Sequence, residues 1–134
     1  SLGYSMREIL TVASMIEKEA ADDSERSKIA SVIYNRINRS WPLQIDSTSL
    51  YEYPDHEGAP TAEMFEKDSP YNTRIREGLP PTAICSPGMA SIRAALKPAD
   101  TQYMYYALNS ETGKHEFFTN ASAFDAFVAR QNYG

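Results

Sequence analysis

Two apolar stripes with helical spacing, in roughly the first 40 residues, constrain this fold more than any other feature of the sequence. The first stripe predicts a helix over Tyr4–Ala21, because apolar residues recur there at steps of three and four. N-cap candidates for a second helix stand at residues 22–24, and Glu25 follows Asp22 by three positions, as in a capping box. This second helix should end before Trp41-Pro42, since the residue preceding a proline avoids helical angles. The chain therefore begins as a pair of packed helices.

The stretch from Pro42 to Pro87 differs in character, because it is rich in Pro, Gly, Asp, Ser and Thr and has weak periodicity. Leu43–Asp46 is predicted to form a short strand and Ser47–Tyr53 a helical turn, with loop in the remainder. A long irregular stretch inside a compact domain is more often a functional loop than a simple connection. We therefore expect site residues here.

A third helix is predicted to begin at Ser86-Pro87, with the serine as its cap and the proline at its first position. Apolar side chains mark its expected buried side: Met89, Ile92, Ala95 and Leu96. Beyond it, Tyr103–Leu108 and His115–Thr119 flank a polar turn, which predicts a β-hairpin. A last helix follows, capped by Thr119 or Asn120.

These elements predict an α+β fold with N-terminal helices, a small antiparallel sheet with a hairpin, and a closing C-terminal helix. A length of 134 residues suits one domain with one core, so we expect residues 1–134 to form a single domain. The net charge of −5 argues against a nucleic-acid partner, which would require a basic patch. Cys85, the sole cysteine, rules out an internal disulfide and a cysteine-rich zinc site.

Glu17 and Glu19 are the first candidates for chemistry, on the first predicted helix. Residues two apart on a helix point about 200° apart, so the two carboxylates cannot face each other across one bond. Glu19 has the more apolar neighbours one and two turns back, and desolvation raises the pKa of a carboxyl towards values suited to proton donation. From spacing alone, two solvated glutamates on a helix rim are the more common arrangement.

The segment from Gln44 to Thr48 is the second candidate, because Gln44 and Asp46 would share one face of an extended strand. An amide and a carboxylate on one face can bind sugar hydroxyls. The alternative is a strand end, with Asp46 capping the next turn. Both interpretations remain open at this point.

Tyr71-Asn72-Thr73 forms a third candidate, since a tyrosine beside amide and hydroxyl groups can stack on a sugar and hydrogen-bond to it. Ordinary turn chemistry explains the same residues, and it is the favoured interpretation when nothing else is known. Of the two histidines, His56 fits a solvated loop tip, whereas His115 begins a strand and could reach a cleft.

Taken together, several motifs resemble those of one family. Ala13–Glu19 is similar to the signature helix of the endolytic murein transglycosylases, the YceG-like family, and Ala30–Ile37 is similar to that family's Val-Phe-x-Asn-Arg-Leu segment. Further pieces follow in family order: Leu43–Thr48, Tyr71–Thr73, Gly78–Pro81, Tyr103–Tyr106 and His115–Thr119. The chain departs from the family at Ser47, where proline is usual, at Arg74, and in the loop between Tyr51 and Tyr71.

The resemblance implies cleavage of the β-1,4 bond between N-acetylmuramic acid and N-acetylglucosamine, leaving a 1,6-anhydro end. Glu19, the second glutamate of the Glu-Lys-Glu triplet, would be the catalytic acid and base, with no metal and no cofactor. The residues implied to bind the glycan are Gln44, Asp46, Thr48, Tyr71, Asn72, Thr73 and His115. The resemblance also implies a catalytic domain of a longer bacterial protein that is anchored in the cell membrane and acts outside the cytoplasm. Peptidoglycan glycan strands, and cell-wall synthases, are the implied partners.

Three alternatives stay open. A lysozyme-like hydrolase would use the same glutamate with water. A pyridoxal phosphate lyase, an older label of this family, would need a Schiff-base lysine and a phosphate cup. A glycan-binding module without catalysis would keep its function after replacement of Glu19.

Overall fold

The fold was obtained as a computed structural model, which describes residues 3–133. Its helices are α1 (Met6–Glu19), a 3₁₀ turn (Asp23–Glu25), α2 (Arg26–Asn38), α3 (Asp46–Leu50), α4 (Ala62–Glu66), α5 (Met89–Leu96) and α6 (Ala121–Ala129), and its strands are β1 (Tyr105–Leu108) and β2 (His115–Phe118). This order confirms the predicted α+β class, with helices first, a hairpin sheet next and a closing helix last. None of the helices within residues 3–133 has the length and apolar character that a membrane span requires.

The N-terminal helix α1 starts at a capping box that the sequence prediction did not identify. The Ser5 hydroxyl accepts from the Glu8 N–H at 3.1 Å, and the Glu8 carboxylate accepts from the Ser5 N–H at 2.9 Å. The predicted apolar stripe is buried, and Val12 and Ile16 are fully enclosed. The helix is shorter than predicted at both ends, because the backbone is already extended at Ser5 and at Ala20.

The core lies where α1, α2 and α5 pack together. Helix α2 ends at Asn38, before the Trp41-Pro42 pair, as predicted. The Tyr34 hydroxyl donates to the Ala95 carbonyl at 2.7 Å and so links α2 to the last turn of α5. Burial raises the pKa of Tyr34 to about 12, which keeps this hydroxyl protonated at neutral pH. The three helices thus form one rigid support for the rest of the chain.

Helix α5 corrects two predictions. It begins at Met89 with Gly88 as its cap, so Ser86-Pro87 lies before the helix. Its buried side consists of small residues, Ser91, Ala94 and Ala95, whereas Met89 and Leu96 are exposed. The prediction was correct for Ala95 and for the partly buried Ile92 and wrong for Met89 and Leu96, because small side chains let α5 approach α1 closely.

The predicted strand Leu43–Asp46 is also wrong. Gln44 adopts a left-handed φ of 55°, which breaks the extended backbone, and Asp46 is already the first residue of α3. The Ile45 N–H donates to the Thr73 hydroxyl at 2.9 Å instead of to a neighbouring strand. A hydrogen bond to the Thr73 side chain, in a distant loop, therefore takes the place of one of the expected strand-to-strand hydrogen bonds.

The hairpin and the closing helix agree with the prediction. Tyr105 pairs with Phe118 and Leu108 with His115, which sets the register of the antiparallel sheet. The Asn120 side chain accepts from the Ala123 N–H at 2.8 Å and caps α6, as one of the two predicted caps. Helix α6 packs on both strands and so closes the fold.

Candidate active site

A cavity of about 340 Å³ lies between the C-terminal end of α1, helix α2, the hairpin and the turn that leads into α3. Its lining residues are Glu19, Val32, Ile33, Arg36, Leu43, Gln44, Ile45, Asp46, Arg74, Tyr105, Tyr106, Ala107, Leu108, His115 and Phe124. Apolar walls with a few convergent polar groups are typical of a ligand site.

Glu19 is the residue of this cavity most suited to proton transfer. It is the last residue of α1, and the Tyr106 hydroxyl donates to its Oε1 at 2.7 Å. Burial raises the pKa of the Glu19 carboxyl, and the nearby Asp46 carboxylate raises it further, while the Tyr106 hydrogen bond acts in the opposite direction. The net rise favours a protonated acid at a higher pH than for an ordinary glutamate. Burial and the negative charge of Glu19 likewise raise the pKa of Tyr106 well above its usual value, so it remains a donor.

Glu17, the other candidate of the triplet, has a different role. Its Oε1 accepts from the Gly88 N–H at 2.9 Å and from the Ser91 hydroxyl at 3.0 Å, so it caps α5. These hydrogen bonds lower the pKa of Glu17. The two carboxylates therefore serve different neighbours, as their separation around the helix predicted.

Three of the predicted binding residues line the cavity with Glu19: Gln44, Asp46 and His115. The Gln44 side chain is exposed, and its unusual backbone angle presents it at the rim. Asp46 accepts from Arg74 Nη2 at 3.2 Å, which holds a carboxylate and a guanidinium together at the mouth. His115 is mostly buried and presents part of its ring to the cavity.

Thr48, Asn72 and Thr73 are not brought to the cavity, and their polar atoms have partners elsewhere. The Thr48 and Thr73 hydroxyls lie 3.0 Å apart and both bond to Ile45. The Asn72 amide donates to three carbonyl groups at the C-terminal end of α4 and just after it, and its oxygen accepts from the Arg74 N–H. These three side chains hold the loop in place, which is the turn chemistry that the sequence left as an alternative.

Tyr71 also lies outside the cavity lining. Its ring packs on Tyr51 with centroids 4.8 Å apart, and its hydroxyl lies 2.8 Å from the Thr82 hydroxyl. Because Tyr51 is exposed, this pair offers an aromatic surface to solvent. A glycan contact of Tyr71 stays a prediction.

Replacing Asn72 with alanine is expected to lower the free energy of unfolding by about 2 kcal/mol, because it removes the hydrogen bonds of a buried amide to loop carbonyl groups and leaves the Arg74 N–H without its side-chain acceptor. Urea denaturation would measure the loss. For the glycan substrate that the family resemblance implies, we expect KM to stay within about twofold of the wild type at a temperature where the variant is folded. A large rise in KM with unchanged stability would instead restore Asn72 as a binding residue.

Several cavity residues were missed by the sequence prediction. Tyr105 stacks on Phe124 with centroids 4.9 Å apart, which forms an aromatic wall. Arg36 is buried and donates from Nε to the Met104 carbonyl at 2.7 Å and from Nη1 to Pro42 and Leu43. The Tyr-rich strand and the Asn-Arg pair of α2 were the available signals, but neither indicated which side chains would face Glu19.

The site offers little to a metal or to pyridoxal phosphate. Within residues 3–133, no three His, Cys, Asp or Glu side chains cluster closely enough to hold a metal ion. The lining residues that the structure describes include no lysine, which a Schiff base would need. One carboxylic acid with a raised pKa, beside aromatic rings and hydrogen-bonding side chains, instead fits proton transfer to a polar ligand such as a sugar.

Comparison with known proteins agrees with this class of site. The chain matches the model of the YceG-like family over residues 1–130, and it belongs to that family. The endolytic murein transglycosylase of Bacillus subtilis is 45% identical over 106 residues, which are 79% of this chain and 29% of the relative. The endolytic murein transglycosylase of Streptococcus pneumoniae serotype 2 is 33% identical, over 96% of this chain and 24% of the relative.

A solved structure supports the fold. The crystal structure of a yceG-like protein from Listeria monocytogenes matches with a TM-score of 0.86 and 41% identity, over 91% of this chain and 40% of that chain. The chain thus spans less than a third of the length of the two curated relatives.

Proposed function

We propose that this chain is the catalytic domain of an endolytic murein transglycosylase, which cleaves the bond between N-acetylmuramic acid and N-acetylglucosamine within glycan strands. The observation that carries the proposal is the position of Glu19, a carboxyl with a raised pKa held by Tyr106 in the main cavity. The names of the relatives support the choice of murein as substrate.

In the proposed reaction, Glu19 performs both proton transfers. The protonated carboxyl, held by the Tyr106 hydroxyl, gives its proton to the glycosidic oxygen as the bond of that oxygen to C1 breaks. The resulting carboxylate accepts the proton of the muramic acid C6 hydroxyl, and the C6 oxygen closes onto C1. Glu19 is thereby protonated again, and the new end is a 1,6-anhydro sugar. The substrate supplies the nucleophile, so the proposal requires no second catalytic carboxylate.

The other cavity residues would orient the glycan. The stacked Tyr105 and Phe124 rings offer an apolar wall for a sugar face, and Gln44, Asp46 and His115 offer donors and acceptors for hydroxyl and acetamido groups. Thr48, Asn72 and Thr73 are left out of this proposal, since their polar atoms bond within the loops.

A lysozyme-like hydrolase is the second candidate, and Asp46 favours it. This carboxylate lines the same cavity as Glu19, and glycosidases that work with water or a nucleophile use a pair of carboxylates. Its ion pair with Arg74 suits it to binding rather than to attack. The two reactions differ in their products, which makes the choice experimental.

Mass spectrometry of purified peptidoglycan incubated with the protein tests the proposal. We expect fragments with 1,6-anhydro-N-acetylmuramic acid ends and none with new reducing ends. Asp46→Asn should keep the anhydro product while raising KM, because Asp46 is assigned to binding. Reducing ends, lost in Asp46→Asn, would instead establish the hydrolase.

Murein lies outside the cytoplasmic membrane, so the proposed substrate implies an extracytoplasmic site of action. A membrane anchor and contacts with cell-wall synthases stay predictions from the family resemblance.

A further inference from the structure

Glu25 is a nearly buried acidic residue that the proposed reaction does not use. It is 4% exposed, and its carboxylate bonds both to the chain just after α1 and to the hairpin. Both oxygens are occupied: Oε1 accepts from the His115 backbone N–H, and Oε2 lies 2.8 Å from His115 Nδ1 and accepts from the Ala21 N–H at 3.2 Å. Glu25 therefore joins the chain after α1 to the first residue of β2.

This arrangement fixes the tautomer of His115. Burial acts to raise the pKa of Glu25, but hydrogen bonds from His115 outweigh it, and the pKa lies below its ordinary value. An ionised carboxylate only accepts hydrogen bonds, so Nδ1 must carry the proton. In the neutral form of the ring, this single N–H is the one on Nδ1, and Nε2 then has a lone pair.

Nε2 belongs to the His115 ring, which lines the same cavity as Glu19. The His115 ring meets the Tyr106 ring edge-on, with centroids 5.2 Å apart and an angle of 84°, and Tyr106 in turn bonds to Glu19. In the part of the chain that the structure describes, no group is hydrogen-bonded to Nε2. The cavity thus holds an acceptor that has a fixed direction and no internal partner.

We propose that Glu25 is a positioning residue, which holds His115 so that Nε2 accepts a hydrogen bond from a sugar hydroxyl of the substrate. The inference rests on the proposed function, since it takes the ligand to be a glycan. It adds a polar contact on the hairpin side of the cavity, beside the Tyr106 ring that bonds to Glu19.

The sharpest test is Glu25→Gln, because it changes chemistry with little change in shape. The glutamine oxygen can still accept from the His115 backbone N–H, while its NH₂ group donates to Nδ1 and the Ala21 N–H loses its acceptor. In the neutral ring the proton must then be on Nε2, which becomes a donor. Two-dimensional ¹⁵N–¹H NMR of the imidazole would detect this: we expect the Nδ1–H tautomer in the wild type and the Nε2–H tautomer in the variant.

The same variant should be slower on glycan. We expect kcat/KM to fall by about tenfold to a hundredfold, mainly through KM, with the anhydro product retained. Glu25→Asp keeps an acceptor-only group and should recover the Nδ1–H tautomer and part of the activity. Glu116→Gln is the matched control, since Glu116 is an exposed neighbour on β2 that bonds to Asn109, and it should change neither readout.

The outcomes are decisive in both directions. An unchanged tautomer in Glu25→Gln, or an Nε2–H tautomer already in the wild type, overturns the positioning role. A changed tautomer with unchanged kcat/KM overturns the requirement that Nε2 act as an acceptor for the sugar hydroxyl.

If the variants do not fold, addition of a murein tetrasaccharide to the wild type must shift the Nε2 resonance, and no shift rejects the contact. Absence of anhydro product from the wild type would reject the proposed function alone, because the tautomer is read without turnover.

Discussion

Replacement of Glu19 by glutamine is expected to lower the rate of glycan cleavage by about 10²–10⁴-fold, the contribution of a positioned general acid and base. Glutamine is close in shape and its oxygen can still accept from the Tyr106 hydroxyl, so the cavity should be retained. Only the transferable proton is lost. Initial rates on purified glycan strands, followed by mass spectrometry of anhydro ends, would measure the effect.

Glu17→Gln is the matched control, because it makes the same chemical change two residues earlier on α1. Glu17 caps α5 and does not line the cavity, so we expect some loss of stability and unchanged kcat. Equal rates for wild type and Glu19→Gln would reject Glu19 as the acid and would favour a glycan-binding module.

Glu19→Gln should also make the protein more stable at neutral pH. A variant that is inactive but more stable has lost the catalytic proton and not the fold. Burial raises the pKa of Glu19 in the folded protein above its value in the unfolded chain. Between these two values the folded state binds more protons, so the free energy of unfolding falls as the pH rises through this window. Glutamine cannot ionise and escapes this loss. We expect the Tm difference between variant and wild type to vanish in acid and to grow with pH.

The sequence was most informative where structure is local. The apolar stripes of α1 and α2, the hairpin and the Asn120 cap depend on neighbours within a few positions, and all were predicted. Helix α5 was misjudged because its start is set by Glu17, from 71 positions away, and its face by close packing of small residues on α1. Neither the Glu17 hydrogen bond nor the close packing can be read from the local sequence pattern.

The site residues show the same contrast between local and long-range information. Glu19 could be favoured over Glu17 from the apolar residues around it, and the resemblance to the family singled out the same residue. Its partner Tyr106 stands 87 positions away, and the Glu25–His115 pair spans 90, so no spacing rule reaches them. The Thr48–Thr73 bond spans 25 positions and converts two predicted binding residues into loop supports.

Arg36→Leu should be among the most destabilising single changes in the cavity wall, lowering the free energy of unfolding by about 2–4 kcal/mol. Arg36 donates to three carbonyl groups, of Met104, Pro42 and Leu43, and thereby joins the residue before β1 to the turn that carries Gln44. Removal leaves these acceptors unpaired in a poorly solvated place, at about 1–3 kcal/mol each. Relief of the buried charge offsets part of this cost, since burial already lowers the pKa of Arg36.

Urea denaturation would measure the change, with Arg39→Leu as the control, because Arg39 is exposed at the end of the same helix and should tolerate the substitution. The two walls that Arg36 joins carry Tyr106 on one side and Asp46 on the other. Activity should therefore fall even at temperatures where the variant is folded, and KM should rise more than kcat falls. A variant as stable as the wild type would mean that these carbonyl groups find other partners, and that the position of the walls relative to Glu19 does not depend on Arg36.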